Sequence, residues 1–371
     1  MRKYLISVLV VDDAVVYRRL VTDVLGELPD VQVVGTAGNG KMAMTRMATL
    51  NPDLLILDLN MPEMDGLEVL RRMKTEAPGT TAIILSAFTP EGGELTMKAL
   101  ELGAFDYILK PQNPSMVENR QALKDALAPM IRSFVRLREV RDILRQARHP
   151  QEIIKITETS GSTQRDQGIR ILPARKVQKS RVVAVGISTG GPAALAKMMP
   201  ALPGDLDVPI LIVQHLPPLY TQALAERLDS KCAIKVKEGS DGEALSPNTA
   251  YIAPGGSQMK VAKAPAPGSR ELIIRITDDP PENGCKPSAD YLFRSVVEHF
   301  GGRATGVIMT GMGSDGASGL RLMKAHGATI IAQDASTSVV FGMARKPIEE
   351  EIVDVIVPLD RIAEEIRRTV K

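Results

Sequence analysis

The chain of 371 residues has no tryptophan and only six tyrosines and six phenylalanines. Its cores must therefore be aliphatic, filled out by 17 methionines. Two cysteines, Cys232 and Cys285, exclude a disulfide framework and suit a reducing compartment. No apolar run reaches the ~18 residues that a membrane span requires. The start MRKYLISVLV has a faintly signal-like look, but Asp12 and Asp13 interrupt it early and no small-residue cleavage site follows. A net charge of +2 argues neither for nor against an acidic partner. These absences lead to the expectation of a cytoplasmic protein with no membrane insertion.

The length suggests two domains, or three small ones. In the first third, four short apolar runs, Tyr4–Val11, Leu54–Leu57, Ala82–Leu85 and Tyr107–Leu109, are each followed by polar residues: Asp12-Asp13, Asp58, Ser86 and Lys110. Short apolar runs separated by amphipathic segments predict βαβ units around a buried parallel sheet. Polar residues just beyond the carboxyl ends of such strands converge in one crevice. The carboxylates of Asp12, Asp13 and Asp58 suit Mg²⁺, which keeps several waters and takes phosphate oxygens. Asp58 can then accept a phosphoryl group, with Ser86 as a hydrogen-bond donor to it and Lys110 as its counter-charge.

Residues from Pro114 to about Arg148 read as one long helix. Leu123, Leu127, Met130, Phe134, Leu137 and Leu144 form a heptad-like seam interrupted by Arg141. Arg132, Arg136, Arg138, Arg145 and Arg148 lie on the other face, but no helix-turn-helix or aromatic stacking pattern accompanies them, so nucleic-acid binding is not expected. A polar stretch, KITETSGSTQRDQG, then reads as a flexible linker. The expected domains are 1–122, a linker over 123–179, and 180–371. The last has strand-like runs from Val182–Ile187 to Val353–Val357 with helices between, and a hairpin from Met259–Ala262 and Leu272–Ile276. It is expected to be a second doubly wound α/β domain with an antiparallel addition.

Three features of that second domain carry chemistry. Gly186-Ile-Ser188-Thr-Gly190-Gly191-Pro192 follows a strand-like run and opens a helix, exposing a serine hydroxyl and backbone N–H groups. Alone, such a loop is equally a phosphate or dinucleotide turn, although it lacks the Gly-x-Gly-x-x-Gly spacing. Of four histidines, His149, His215, His299 and His326, only His215 ends a β run. Asp315 sits among glycines in MTGMGSDG, again after a β run. It is either part of a surface turn or the carboxylate that orients an imidazole. On the sharper reading Ser188 is a nucleophile, His215 its base, and Asp315 fixes the imidazole tautomer.

The stretches VLVVDDAVVYRRL, LLILDLNMPEMDG, AIILSA and GAFDYILKP resemble the receiver domain of response regulators. VGISTGGPAAL, VQHLPPLYTQALAERLD, AYIAPGG, KPSADYLFRSV, MTGMGSDGASGL and SVVFGM resemble the catalytic domain of chemotaxis protein-glutamate methylesterases of the CheB type. The resemblance implies a flavodoxin-like receiver followed by a Rossmann-like esterase. It implies the triad Ser188, His215 and Asp315, with oxyanion-stabilising backbone groups at Thr189 and Met312. Phosphorylation would fall on Asp58, with Ser86, Lys110 and Tyr107 as switch residues and Mg²⁺ as the receiver's cofactor; the ester chemistry would need none. The implied activity is hydrolysis of glutamate γ-methyl esters on chemoreceptor helices, with deamidation of glutamines by the same acyl chemistry and a histidine kinase as phosphodonor. Gln258, Ser314 and Ala344 depart from the usual pattern, and Gln258 is expected to bear on substrate preference. The competing expectations are a non-catalytic adaptor working through the long helix, and a phosphate or nucleotide binder using the Gly186–Gly191 loop.

Overall fold

The computed structural model describes residues 5–147, 178–266 and 268–371. The sequence from Arg148 to Val177, including most of the expected linker and His149, lies outside the described residues, as do the side chains of Leu137 and Leu144.

Five strands, β1 (Ile6–Val11), β2 (Val31–Ala37), β3 (Leu54–Asp58), β4 (Thr81–Ser86) and β5 (Asp106–Leu109), form a parallel sheet in the order β2-β1-β3-β4-β5. Helices α1 (Val15–Gly26), α2 (Gly40–Leu50), α3 (Gly66–Glu76), α4 (Pro90–Glu101) and α5 (Met116–Ala147) alternate with them. Side-chain caps start three of these helices: Asn39 accepts from Met42 N, Asp65 from Glu68 N and Thr89 from Gly92 N. The central strand β3 is buried along its whole length, as expected for a strand covered on both faces.

The second half contains β6 (Val183–Ile187), α6 (Gly191–Met198), β7 (Ile210–Gln214), α7 (Tyr220–Asp229), β8 (Lys235–Glu238), β9 (Thr249–Ile252), β10 (Gln258–Lys263) and β11 (Leu272–Thr277). It continues with α8 (Ala289–Phe300), β12 (Thr305–Ile308), α9 (Ala317–Ala325), β13 (Thr329–Gln333), α10 (Arg345–Glu349), β14 (Val355–Val357) and α11 (Ile362–Val370). Seven of its strands make a parallel sheet in the order β14-β13-β12-β6-β7-β9-β8. Strands β10 and β11 pair as the antiparallel hairpin expected from the sequence. Helix α11, not singled out in the sequence, buries Ile362, Ala363 and Ile366. Among the described residues no helix is long and apolar enough to cross a membrane.

The long helix does form, but its buried face differs from the expected seam. Leu123, Leu127, Ile131 and Phe134 are buried, and Phe134 meets Phe105 edge-on at 5.8 Å. Met130 is only partly buried, packing at the edge of this core and lining a cavity between the two halves, since a step of four residues, not three, keeps Ile131 above Leu127 on a helix of 3.6 residues per turn. Val339 and Val340 from the second half pack against this same core. Arg138, expected on the solvated face, is ion-paired with Asp53.

Candidate active site

Each sheet reverses its direction of growth at one point, and polar residues gather there, outside the carboxyl ends of the strands. In the first sheet that point lies between β1 and β3. Asp12 follows β1 and Asp58 ends β3, and Lys110, just past β5, reaches both: its Nζ is 2.7 Å from Asp12 Oδ2 and 3.0 Å from Asp58 Oδ2. One oxygen each from Asp12, Asp13 and Asp58 lie within 4.8 Å of one another. Burial, opposed by Lys110 and reinforced by the Asp12 charge, pushes Asp58 up to about 6. Asp12 Oδ2 is buried with no hydrogen-bond partner beyond its ion pair with Lys110. This is a carboxylate set short of positive charge, and a hard, oxygen-seeking divalent cation fits it.

Ser86 ends β4, and its hydroxyl is engaged by partners other than Asp58. Its Oγ is 2.6 Å from the hydroxyl of Tyr220 and accepts from Thr96 Oγ1 at 2.7 Å. Tyr220 opens α7 in the second half. It is fully buried, donates to Ala87 O at 3.0 Å, and stacks on Tyr107 at 5.0 Å and Phe88 at 6.5 Å. Alongside, Glu101 of α4 pairs with Arg227 and with Lys231 of the other half. The side chain of Tyr220 therefore sits in the pocket formed by Ser86, Phe88 and Tyr107, three residues of the first half.

In the second sheet the reversal lies between β6 and β12. Ser188 follows β6, with β7 and its His215 on one side and β12 and its Asp315 loop on the other. The Ser188 turn is held from both flanks: Ser188 N donates to Thr310 O at 3.0 Å, and Gln214 Nε2 donates to Ser188 O at 3.0 Å. Gly190 takes a φ of 76° to close the turn into α6. Gly311 is required by proximity, because a Cβ there would lie 2.8 Å from Ser188 Cβ.

His215 Nε2 is 2.9 Å from Asp315 Oδ2. Asp315 lies against the N-terminus of α8, where its carboxylate accepts from Ala289 N at 2.6 Å, Ser288 Oγ at 2.8 Å and Asn283 Nδ2 at 3.0 Å. Burial works to raise the pKa of Asp315, but His215 and these donors outweigh it and hold the carboxyl below its usual range. For His215, burial pulls the other way, yet the Asp315 bond wins and raises the imidazole above its ordinary value. Its second nitrogen, Nδ1, faces Cys285 Sγ at 3.7 Å.

Ser188, Thr189 and His215 line a cavity of about 660 Å³, whose opposite wall is Asp106, Tyr107, Lys110, Ala122, Ala126 and Met130 of the first half. Burial pushes Asp106 up to about 6, opposed by the Tyr107 N–H and the neighbouring Thr189 side chain. Met312 lies in the Gly311–Gly316 loop next to the Ser188 turn, half-buried.

Several contributors to this geometry were not assigned roles from the sequence. Ser288, Ala289 and Asn283 hold Asp315, and only the Ser-x-x pattern ahead of α8 signalled that Ser288 would cap a helix. The expectation for Gln258 is corrected. It is completely buried, accepts from Ser288 N at 2.8 Å through Oε1, and donates to Pro280 O at 3.1 Å. With both ends of its amide engaged, it braces the 280–288 segment and presents nothing to a substrate.

The CheB methylesterase family matches residues 183–366, and the response regulator receiver domain matches residues 8–122. A protein-glutamate methylesterase/protein-glutamine glutaminase of Desulfotalea psychrophila is 47% identical over 368 residues, which cover 99% of each chain. One of Halalkalibacterium halodurans is 39% identical over 366 residues, again 99% of each. Among solved structures, the Thermotoga maritima CheB methylesterase catalytic domain is 36% identical, with a TM-score of 0.49, covering 52% of this chain and 99% of that one. The chain belongs to the protein-glutamate methylesterase/protein-glutamine glutaminase family, in which a receiver domain precedes a CheB methylesterase domain.

Proposed function

We propose that this protein is a phosphorylation-controlled serine esterase of the cytoplasm that hydrolyses glutamate γ-methyl esters on methyl-accepting chemoreceptor helices and deamidates glutamines at such sites. The observation that carries the reading is that Ser188 and His215, from the ends of adjacent strands, line one wall of a cavity, with Asp315 hydrogen-bonded to the far nitrogen of His215. Asp315 holds the Nε2 proton of His215, which leaves the Nδ1 lone pair for the Ser188 hydroxyl. Ser188 Oγ attacks the ester carbonyl as its proton passes to Nδ1, and the oxyanion is met by the backbone N–H groups of Thr189 and Met312. Collapse breaks the C–O bond, and His215 returns the proton to the departing methanol. Water, deprotonated by the same nitrogen, then hydrolyses the acyl-enzyme to glutamate and free Ser188. With a glutamine substrate the leaving group is ammonia. The test is methanol release from a methylated chemoreceptor preparation, with and without a small-molecule phosphodonor; absence of release under both conditions would overturn the reading.

The base must be neutral to accept a proton, and the Asp315 pairing raises the pH at which that happens. The group loses its proton, and so becomes competent, only as pH rises through the raised value. Turnover is therefore expected to climb through the alkaline range, with its acid limb above the ordinary imidazole pKa of about 6.5. A pH–rate profile with a limb at or below that value would remove His215 as the base.

Control is proposed to run through Asp58, with a histidine kinase as the source of the phosphoryl group. Asp12, Asp13 and Asp58 would hold Mg²⁺, which when bound neutralises charge on the incoming phosphoryl group. In the unphosphorylated arrangement the receiver covers the cavity, and Ser86 is engaged by Tyr220. Phosphoryl oxygens on Asp58 compete for the Ser86 hydroxyl, and Lys110 supplies their counter-charge. Loss of the Ser86–Tyr220 bond weakens the docking of Tyr220 and favours opening. Since Asp58 acts as a nucleophile only when ionised, labelling by a phosphodonor is expected to slow as pH falls below about 6. Mass spectrometry should find the label absent from Asp58→Asn; an unchanged label in that variant would move the acceptor elsewhere.

A further inference from the structure

We propose that Cys285 and His215 form a binding site for a thiophilic divalent cation, best matched by Zn²⁺, and that its occupancy shuts off ester hydrolysis. The shut-off, though not the site, rests on the esterase reading above. Cys285 Sγ and His215 Nδ1 are 3.7 Å apart. Two ligands on one tetrahedral Zn²⁺, with sulfur at about 2.3 Å and nitrogen at about 2.0–2.1 Å, stand about 3.5 Å from each other. The free side chains thus already hold nearly the separation that a shared cation imposes.

The imidazole is also prepared as a ligand. Its Nε2 is tied to Asp315, which leaves Nδ1 as the nitrogen with a lone pair toward Cys285 and the cavity. A carboxylate on the far nitrogen of a metal-binding histidine fixes its tautomer and raises its basicity. Asp315 belongs to the His/Cys/Asp group whose ligand atoms lie within 4.8 Å of one another. Its oxygens, however, are engaged by Ala289 N, Ser288 Oγ and Asn283 Nδ2 as well as by His215, which suits it to orient the ring, not to bind the cation. His215 borders the cavity and Cys285 is partly exposed, so water can fill the remaining coordination positions. Inhibition follows because the cation and the Ser188 proton compete for the same lone pair.

Ligand softness separates this site from the other candidate cation site. Asp12, Asp13 and Asp58 offer oxygen alone, which suits Mg²⁺, whereas sulfur with imidazole nitrogen selects Zn²⁺ over Mg²⁺. Cys232, the other thiol, has burial pushing it up to about 11 and is not part of either group.

The experiment uses the full-length protein with Co²⁺ as a spectroscopic probe. Thiolate ligation of Co²⁺ gives a sulfur-to-metal charge-transfer band in the near ultraviolet. The band is expected in the wild type and in Cys232→Ser, to vanish in Cys285→Ser, and to be displaced by Zn²⁺ but not by Mg²⁺. In parallel, buffered Zn²⁺ is titrated into the methanol-release assay at saturating Mg²⁺, each variant being normalised to its own metal-free rate. Inhibition should be reversed by EDTA, and Cys285→Ser should need at least about tenfold more Zn²⁺ for half-inhibition. Absence of the band, a band that disappears with Cys232→Ser instead, or unchanged Zn²⁺ sensitivity in Cys285→Ser would overturn the proposal. A Cys285-dependent band in a protein with no turnover under any condition would uphold the metal site and overturn the esterase reading.

Discussion

Ser188→Ala is expected to abolish methanol release, by at least about 10³-fold, while leaving the protein folded. The first part follows from the chemistry: without the hydroxyl no acyl-enzyme forms, and residual hydrolysis depends on the oxyanion donors and binding alone. The second follows from the environment. The Ser188 turn is fixed through backbone groups, by Ser188 N to Thr310 O and by Gln214 Nε2 to Ser188 O, and both bonds survive loss of the side-chain oxygen. The melting temperature should therefore move little. His215→Ala should cost a similar factor, and the double variant little more, because the members of one proton-transfer unit do not contribute additively. Combining turnover with calorimetry is decisive. Wild-type turnover in Ser188→Ala would remove the nucleophile and favour a phosphate-binding role for the Gly186–Gly191 loop.

Tyr220→Ala is expected to raise the basal rate of the unphosphorylated protein toward the phosphorylated level, and so to shrink the stimulation by a phosphodonor. Truncating a fully buried aromatic ring costs about 3–5 kcal/mol in a core. If about 3 kcal/mol of that belongs to the contact between the two halves, the open fraction rises about 10²-fold. Because Tyr220 lies close along the chain to His215, a second variant on the receiver side separates docking from damage. Glu101→Ala removes the partner of Arg227 and Lys231, none of which lines the cavity, and should shift the basal rate in the same direction by a smaller factor. A fall in basal rate in both variants, with phosphorylation still stimulating, would favour a receiver that activates through contact over one that occludes.

The two sites were legible in the sequence to different depths. Asp12, Asp13, Asp58 and Lys110 could be read together, since each follows an apolar run and, although one such charge would be an ordinary solvated strand end, several in this order and spacing converge at one sheet edge. Ser188, His215 and Asp315 were legible as strand-end residues, but 100 residues separate His215 from Asp315 and no periodicity links them. Other features were beyond reach. Ser86 is read from sequence as facing Asp58, and nothing local reveals that Tyr220, 134 residues away, takes its hydroxyl. Gln258, expected from the sequence to bear on substrate preference, proves to be buried with both ends of its amide used within the protein. Cys285 carried no signal, because a lone thiol in a polar loop has no pattern until an imidazole stands beside it.

The sequence by itself determined the alternation of buried strands with amphipathic helices, and therefore that polar residues would collect at one edge of each sheet. Backbone hydrogen bonding and apolar burial impose that result locally, run by run. Strand order was decided only in the tertiary structure. Pairing β6 with β12 on one side and β7 on the other sets Ser188 between His215 and Asp315, and no run of residues encodes which distant strand will be its neighbour. The contact between the halves was decided there too. Tyr220 and Glu101 are ordinary residues of two helices, and they acquire a role only when α4 and α7 meet, burying the Tyr220 ring and pairing Glu101 with Arg227.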